Sequence, residues 1–185
     1  MASIVATSAA VGAQTPSAPG VDQLKNRSAR FAPVEISADV SKLPSNERQA
    51  LAKLVEAAKV MDTLFLRQVW AGNETMLLGL LQDPSPLGRE RLHYFVLNKG
   101  PWSRLDHNEP FVPGAPPKPE QANFYPADAT KNEVEEWLST LSGSQKTFAT
   151  GFYTTIRRNA EGKLIAVPYS YEYQGELAHA GALLK

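Results

Sequence analysis

Seven prolines between residues 101 and 126, at Pro101, Pro110, Pro113, Pro116, Pro117, Pro119 and Pro126, constrain this chain more than any other feature. Proline lacks the amide proton that helices and central strands need, and its ring fixes φ, so neither element runs far through this stretch. Regular structure must therefore lie before residue 101 and after residue 128. An irregular stretch of this length within a domain is uncommon and is either functional or disordered. Trp102, Phe111, Phe124 and Tyr125 argue against disorder, because their rings would be left in water. The expectation is an ordered loop that wraps the domain and is held by those rings.

Before the loop, Leu51, Leu54, Val55, Ala58, Met61, Leu64 and Phe65 recur at steps of three and four, with Glu47, Arg48, Lys53, Glu56 and Lys59 on the other face. This predicts an amphipathic helix from Ser45 to about Trp70, its apolar stripe in the core and its stop at Gly72-Asn73. Glu74 to Leu81 reads as a short apolar helix. Leu87 to Leu97 reads as a further one with Leu92, Phe95 and Val96 buried, ended by Gly100-Pro101. After the loop, Thr130-Lys131-Asn132-Glu133 has capping-box spacing and starts a helix to about Leu141, stopped by Ser142-Gly143. Phe148 to Arg158 and Leu164 to Val167 read as two strands of a hairpin around Asn159-Ala160-Glu161-Gly162. Tyr171 to Lys185 is helical again and is still helical at the last residue, which predicts a truncated domain. The fold class expected is α+β, mainly helical, with one β-hairpin and a long Pro-rich wrapping loop.

Nineteen basic residues balance nineteen acidic ones, without a dense basic stripe, which argues against nucleic acid as a partner. No run approaches the roughly 18 consecutive apolar residues of a membrane span. Absence of cysteine removes disulfides, thiolate nucleophiles, zinc fingers and iron–sulfur clusters. The N-terminal MASIVATSAAVGAQTPSAPG has a mildly apolar run from Ile4 to Ala13, with small residues where a secretory signal would be cleaved but no basic segment before it. A secretory signal predicts a secreted or periplasmic protein; a disordered Ala/Ser/Pro tail leaves a cytoplasmic one open. Both readings set residues 1–28 apart from a domain spanning residues 29–185.

No complete catalytic constellation appears in the chain. His93, His107 and His179 are far apart and form no His-Glu-x-x-His pattern, so no metal ligand is assigned. Neither a Gly-x-Ser-x-Gly elbow nor a glycine-rich phosphate loop is present. In NKGPWSRLDHNEPF, residues 98–111, Arg104 can fork onto a carboxylate: either Asp106, in a salt bridge that fixes the loop, or that of a peptide ligand. The candidates for substrate binding are Trp102, Arg104, Asp106, Asn123 and Tyr125. Asp128 reads as a turn acceptor ahead of the Thr130 cap, and Arg157 with Arg158 as a solvated sheet edge.

Four segments in register, LPSNERQALAKLVEAAKVMDTLFLRQ, NKGPWSRLDHNEPF, PKPEQANFYPADATKNEVEEW and FYTTIRRNAEGKLIAVPYSYEY, resemble the dipeptidyl-peptidase III family of zinc metallopeptidases in its shorter bacterial and plant-like branch. The resemblance runs from about Arg30 to the last residue, with one local departure: the family has an aspartate where Ser103 stands. It implies an exopeptidase that releases dipeptides from peptide N-termini in a cleft between two lobes, one of them helical and zinc-bearing. It also implies a His-Glu-x-x-x-His motif with a downstream glutamate, which this sequence does not contain, so no catalytic or metal residue carries over. Some plant relatives have a Nudix domain ahead of this region, for which the residues before Arg30 are too few. The expectation is the N-terminal segment of such a hydrolase: inactive alone, binding no zinc itself, with a peptide substrate and a zinc-bearing lobe as partners in the full-length protein. A stand-alone secreted helical binding module that uses the loop 100–128 is the alternative.

Overall fold

The computed structural model describes residues 18–185. In it, helices α1 (Val21–Ser28), α2 (Ser45–Val69), α3 (Asn73–Leu81) and α4 (Pro86–Asn98) precede the loop, which holds the two-residue strands β1 (Trp102–Ser103) and β2 (Glu109–Pro110). There follow α5 (Lys131–Thr140), α6 (Gly143–Ala149), β3 (Thr154–Arg158), β4 (Leu164–Pro168), α7 (Tyr169–Glu172) and α8 (Gln174–Leu183). About half of the described chain is helical, and β1–β2 and β3–β4 are separate antiparallel hairpins. The α+β, mainly helical class expected from the sequence is therefore the observed one, with a second, minimal hairpin inside the Pro-rich loop.

Helix α1 corrects the expected boundary at residue 28. Leu24 is fully buried in a core with Leu66, Leu80, Tyr94, Phe95 and Phe111. Gln23 closes the helix start by accepting from the Gly20 amide at 3.0 Å. An eight-residue helix is marginal in isolation, so packing against α4 is what orders it. The signal-like run Ile4 to Ala13 lies outside the described residues.

The long helix forms as its periodicity predicts, but its apolar residues are shared between two faces. Ala57 and Leu64 are buried and α8 packs along the helix, whereas Leu51, Leu54, Met61 and Phe65 stay on the surface. The expectation that this whole stripe is core does not hold. Helix α2 also stops at Val69, before Gly72-Asn73, because Trp70 turns extended and sets its ring edge-on to Trp102, with centroids 5.1 Å apart. In α4 the buried face carries Tyr94, Phe95 and Asn98, and Val96, expected inside, is exposed. Ser85 caps this helix by accepting from the Gly88 amide at 2.9 Å, with Pro86 at the first helical position.

A second core gathers Ala149, Ile156 and Leu164 under Val134, Trp137, Leu138 and Leu141. The strand expected from Phe148 begins only at Thr154. Ser142 does not merely end α5: it caps α6, with Gln145 accepting from the Ser142 amide at 3.0 Å. The hairpin register places Ile156 opposite Ala166. Its turn closes on Asn159, whose side-chain oxygen accepts from the Glu161 and Lys163 amides, and on Gly162 at φ +76°, a left-handed position that suits glycine.

Candidate functional site

The loop begins where α4 ends. Lys99 adopts the left-handed conformation at φ +56°, and the Gly100 amide reaches back to the Phe95 carbonyl at 3.1 Å, closing the helix C-terminus. Lys99 also clasps both carboxylate oxygens of Asp62 at 2.7 Å, which ties the turn to α2. Asn73, fully buried, donates to the Leu66 and Lys99 carbonyls at 2.9 and 3.3 Å and so links the ends of α2 and α4. Asn98 accepts from the Arg104 amide at 2.9 Å and donates to the Tyr94 carbonyl at 2.8 Å. Trp102 is buried and donates through Nε1 to the Pro116 carbonyl at 2.8 Å; Phe111 is buried edge-on to Tyr94 at 4.7 Å. Trp102 and Phe111 anchor the wrap as the sequence suggested, whereas Tyr125, expected to help hold it, is exposed.

Asp106 has a different partner from the one expected. Its carboxylate is gripped by Arg30 from α1's trailing turn, Nη1 to Oδ1 at 2.8 Å and Nη2 to Oδ2 at 2.5 Å, with Arg27 3.6 Å away. Ser103 donates to Asp106 at 2.6 Å, and its oxygen lies 2.6 Å from the buried Tyr94 hydroxyl. Arg30, then Ser103, hold the Asp106 carboxyl down to about 2 from its ordinary 3.8, and the same contact raises the Arg30 guanidinium. Arg104 is exposed, and its guanidinium makes no hydrogen bond or ion pair with a described residue. The expected Arg104–Asp106 bridge is thus replaced by a bridge to a residue 76 positions away. His107 and Asn108, at φ +52° and +60°, turn the chain back between β1 and β2.

The second half of the loop is pinned to the end of α2 and to the hairpin. Asn123 satisfies two of the carbonyls left free at the α2 C-terminus: its amide donates to Gln68 at 2.9 Å and its side chain to Arg67 at 3.0 Å. Ile156 of β3 donates to the Phe124 carbonyl at 2.7 Å. Neither arginine of β3 is a solvated edge residue. Arg157 binds Glu172 at 2.6 Å and the Asn123 carbonyl at 3.0 Å, and Arg158 binds Asp128 and Glu133, each at 2.8 Å. Asp128, expected as a turn acceptor, therefore accepts from Arg158, and Thr130 caps α5 as expected by accepting from the Glu133 amide at 3.2 Å. Arg158 keeps the Glu133 carboxyl below its ordinary range.

Around Phe124 the aromatic rings cluster. Phe124 stacks on Tyr169, which meets Tyr173 edge-on at 5.0 Å, and Arg67 lies 5.5 Å from the Tyr173 ring centre while pairing with Glu176. Burial pushes the Tyr169 and Tyr173 phenols up, so both are protonated and neither is a base at neutral pH. Two surface cavities flank the cluster. One of about 800 Å³ lies between Tyr125 and the first turns of α5; one of about 910 Å³ is an apolar groove between Met61, Phe65, Phe148, Phe152 and Tyr153.

Of the five predicted binding residues, Trp102, Asp106 and Asn123 are committed to internal bonds, and Arg104 and Tyr125 face solvent. Sequence reading missed Arg30 and Arg67, for which only long-range pairing gives a signal. Among the described residues no group of three histidines or carboxylates lies close enough to hold a metal ion, and His93, His107 and His179 are exposed on three separate elements. The donor set does not fit zinc. Among the described residues no helix is long and apolar enough to cross a membrane.

No family model matches the chain. Nudix hydrolase 3 of Arabidopsis thaliana is 36% identical over 77% of this chain, and the match takes in 22% of that protein. The structure of dipeptidyl-peptidase III from Corallococcus sp. strain EGB aligns with 90% of this chain at 60% identity and a TM-score of 0.86, using 31% of its own length. That of dipeptidyl-peptidase III from Caldithrix abyssi aligns with 87% at 42% identity and a TM-score of 0.81, using 30%. The chain spans less than a third of the length of each relative it matches. Both aligned structures are of dipeptidyl-peptidase III, the family that the four sequence segments resemble.

Proposed function

We infer, from a chain with the sequence and the fold of a dipeptidyl-peptidase III segment, that it supplies part of a two-lobed zinc exopeptidase that releases dipeptides from peptide N-termini. The agreement of 60% identity with a TM-score of 0.86 over 90% of the chain supports this reading. At that identity both core packing and loop geometry are retained, whereas fold likeness alone would leave function open. The Nudix hydrolase relative is less similar and is matched over a smaller share of its length. The two peptidase structures therefore favour the peptidase reading.

Within this reading the segment positions and does not react. A hydrolytic site of this kind needs a metal-polarised water, and the described residues offer no group of three histidines or carboxylates to hold that metal. Zinc, held by residues outside this chain, would supply the Lewis acid. The loop 98–128 braces the ends of α2 and α4 against the hairpin, and leaves Arg104 and Tyr125 as the candidate side chains free to meet a peptide.

The test is turnover of a dipeptidyl-arylamide substrate with zinc. The purified chain alone is expected to show none; mixed with the part of the Corallococcus enzyme outside the matched segment, it is expected to give chelator-sensitive release. Chelator-sensitive turnover by the chain alone would overturn the assignment of the chemistry to the remainder. Failure of the mixture both to form a complex and to turn over would overturn the peptidase reading.

A further inference from the structure

On α2, Leu51, Leu54, Ala58, Met61 and Phe65 succeed one another at steps of three, four, three and four. At 100° per residue that spacing puts all five on one stripe, about 21 Å long at a rise of 1.5 Å per residue. All five are exposed, Leu54 at 55% and Phe65 at 44%. The adjoining face, with Ala57 and Leu64, is already taken by α8, so the stripe is a second apolar face that no described residue covers. Its C-terminal end opens into the 910 Å³ groove, whose far wall includes Phe152 at 96% exposure. Soluble surfaces rarely carry so continuous an apolar patch without a partner.

Spacing also restricts the shape of the partner. A three-four alternation is the seam one helix offers another, with knobs and holes at matching intervals, whereas a strand repeats every two residues and would meet only part of it. We infer that this seam, with the Phe152 wall, is the docking surface for an amphipathic α-helix from the portion of a dipeptidyl-peptidase III chain outside the matched segment. Length supports that occupant: the Corallococcus structure uses 31% of its chain to match this one, and the rest is available to lie on it. The inference rests on the peptidase reading above and adds where the two portions meet and through what element.

Because the chain has no cysteine, single-cysteine variants report on one position each. In Leu54→Cys the thiol sits on the seam; in Lys59→Cys it sits on the polar side of the same helix. Each variant, checked for helical circular dichroism, is labelled with a maleimide alone and with the unmatched portion of the Corallococcus enzyme. Docking predicts labelling of Leu54→Cys slowed at least tenfold by that portion, with Lys59→Cys unchanged. It also predicts that Leu54→Lys weakens the complex at least tenfold. A complex in which Leu54→Cys labels at its free rate overturns the inference and leaves the peptidase reading standing. Protection of Leu54→Cys in the chain alone also overturns it, assigning the seam to a second copy where protection fades on dilution. Absence of both complex and turnover removes the peptidase reading and this inference together.

Discussion

Replacing Asp106 by asparagine removes the charge from the Arg30–Asp106–Ser103–Tyr94 network while keeping its shape. The Asp106 side chain is 24% exposed and its carboxyl is held at about 2 against an ordinary 3.8. At 1.36 kcal/mol per unit that difference sets a ceiling of about 2 kcal/mol. Arg30 reaches solvent at 40% exposure, so screening reduces the charge contribution to about 1 kcal/mol. Re-pairing the buried Ser103 and Tyr94 hydroxyls adds up to about 1 kcal/mol. For a chain of this length each kcal/mol moves Tm by about 2–4 °C, so Asp106→Asn should melt about 2–8 °C below the parent at pH 7. The sign of the pH dependence follows from the depressed pKa. The stabilisation is fully present above the unfolded value near 4 and is lost as pH falls toward 2, so about half of the charge contribution should be gone at pH 3. Thermal melts followed by circular dichroism at pH 7, 5 and 3 read both quantities. A gap under 1 °C at pH 7, or one that does not narrow in acid, would refute the assignment of Asp106 to this network.

Arg104→Ala should change stability by less than about 0.5 kcal/mol in urea titrations, because its guanidinium pairs with no described residue; a loss comparable to that of Asp106→Asn would restore the local bridge. Leu24→Ala should cost about 2–5 kcal/mol, as for other fully buried leucines, and a neutral result would return α1 to the status of a tail. Asn73→Ala strips two carbonyls of a buried donor and should cost about 1–3 kcal/mol, read by denaturant midpoint at unchanged slope. Limited proteolysis of that variant should show new cleavage near Lys99 if Asn73 holds the loop entrance. Glu133→Gln should loosen Arg158 and Asp128 together, seen as faster amide exchange at the start of α5 than in the parent.

Local chemistry fixed much of the architecture. The three-four spacing of α2, the Thr130 cap and the Asn159–Gly162 turn act within a few residues of themselves, and each is found where the sequence places it. The prolines kept the loop irregular, and its rings kept it ordered. One local signal, Ser142 with Gln145, was present but was read as the stop of α5, and the end of α6 from Phe148 was read as strand. The resemblance carried by four segments was legible too, and two dipeptidyl-peptidase III structures align with 90% and 87% of the chain.

What tertiary structure alone decided was pairing at a distance. Asp106 had Arg104 two residues away and pairs instead with Arg30, which the chain after α1 brings to the loop, while Ser103 also donates to it. Asp128, Asn123, Arg157 and Arg158 likewise took partners from elements that meet only after folding. Periodicity showed that α2 has an apolar side, but a single helix pattern cannot say how many neighbours will share it. Packing of α8 answered for one face and left the Leu51–Phe65 seam exposed.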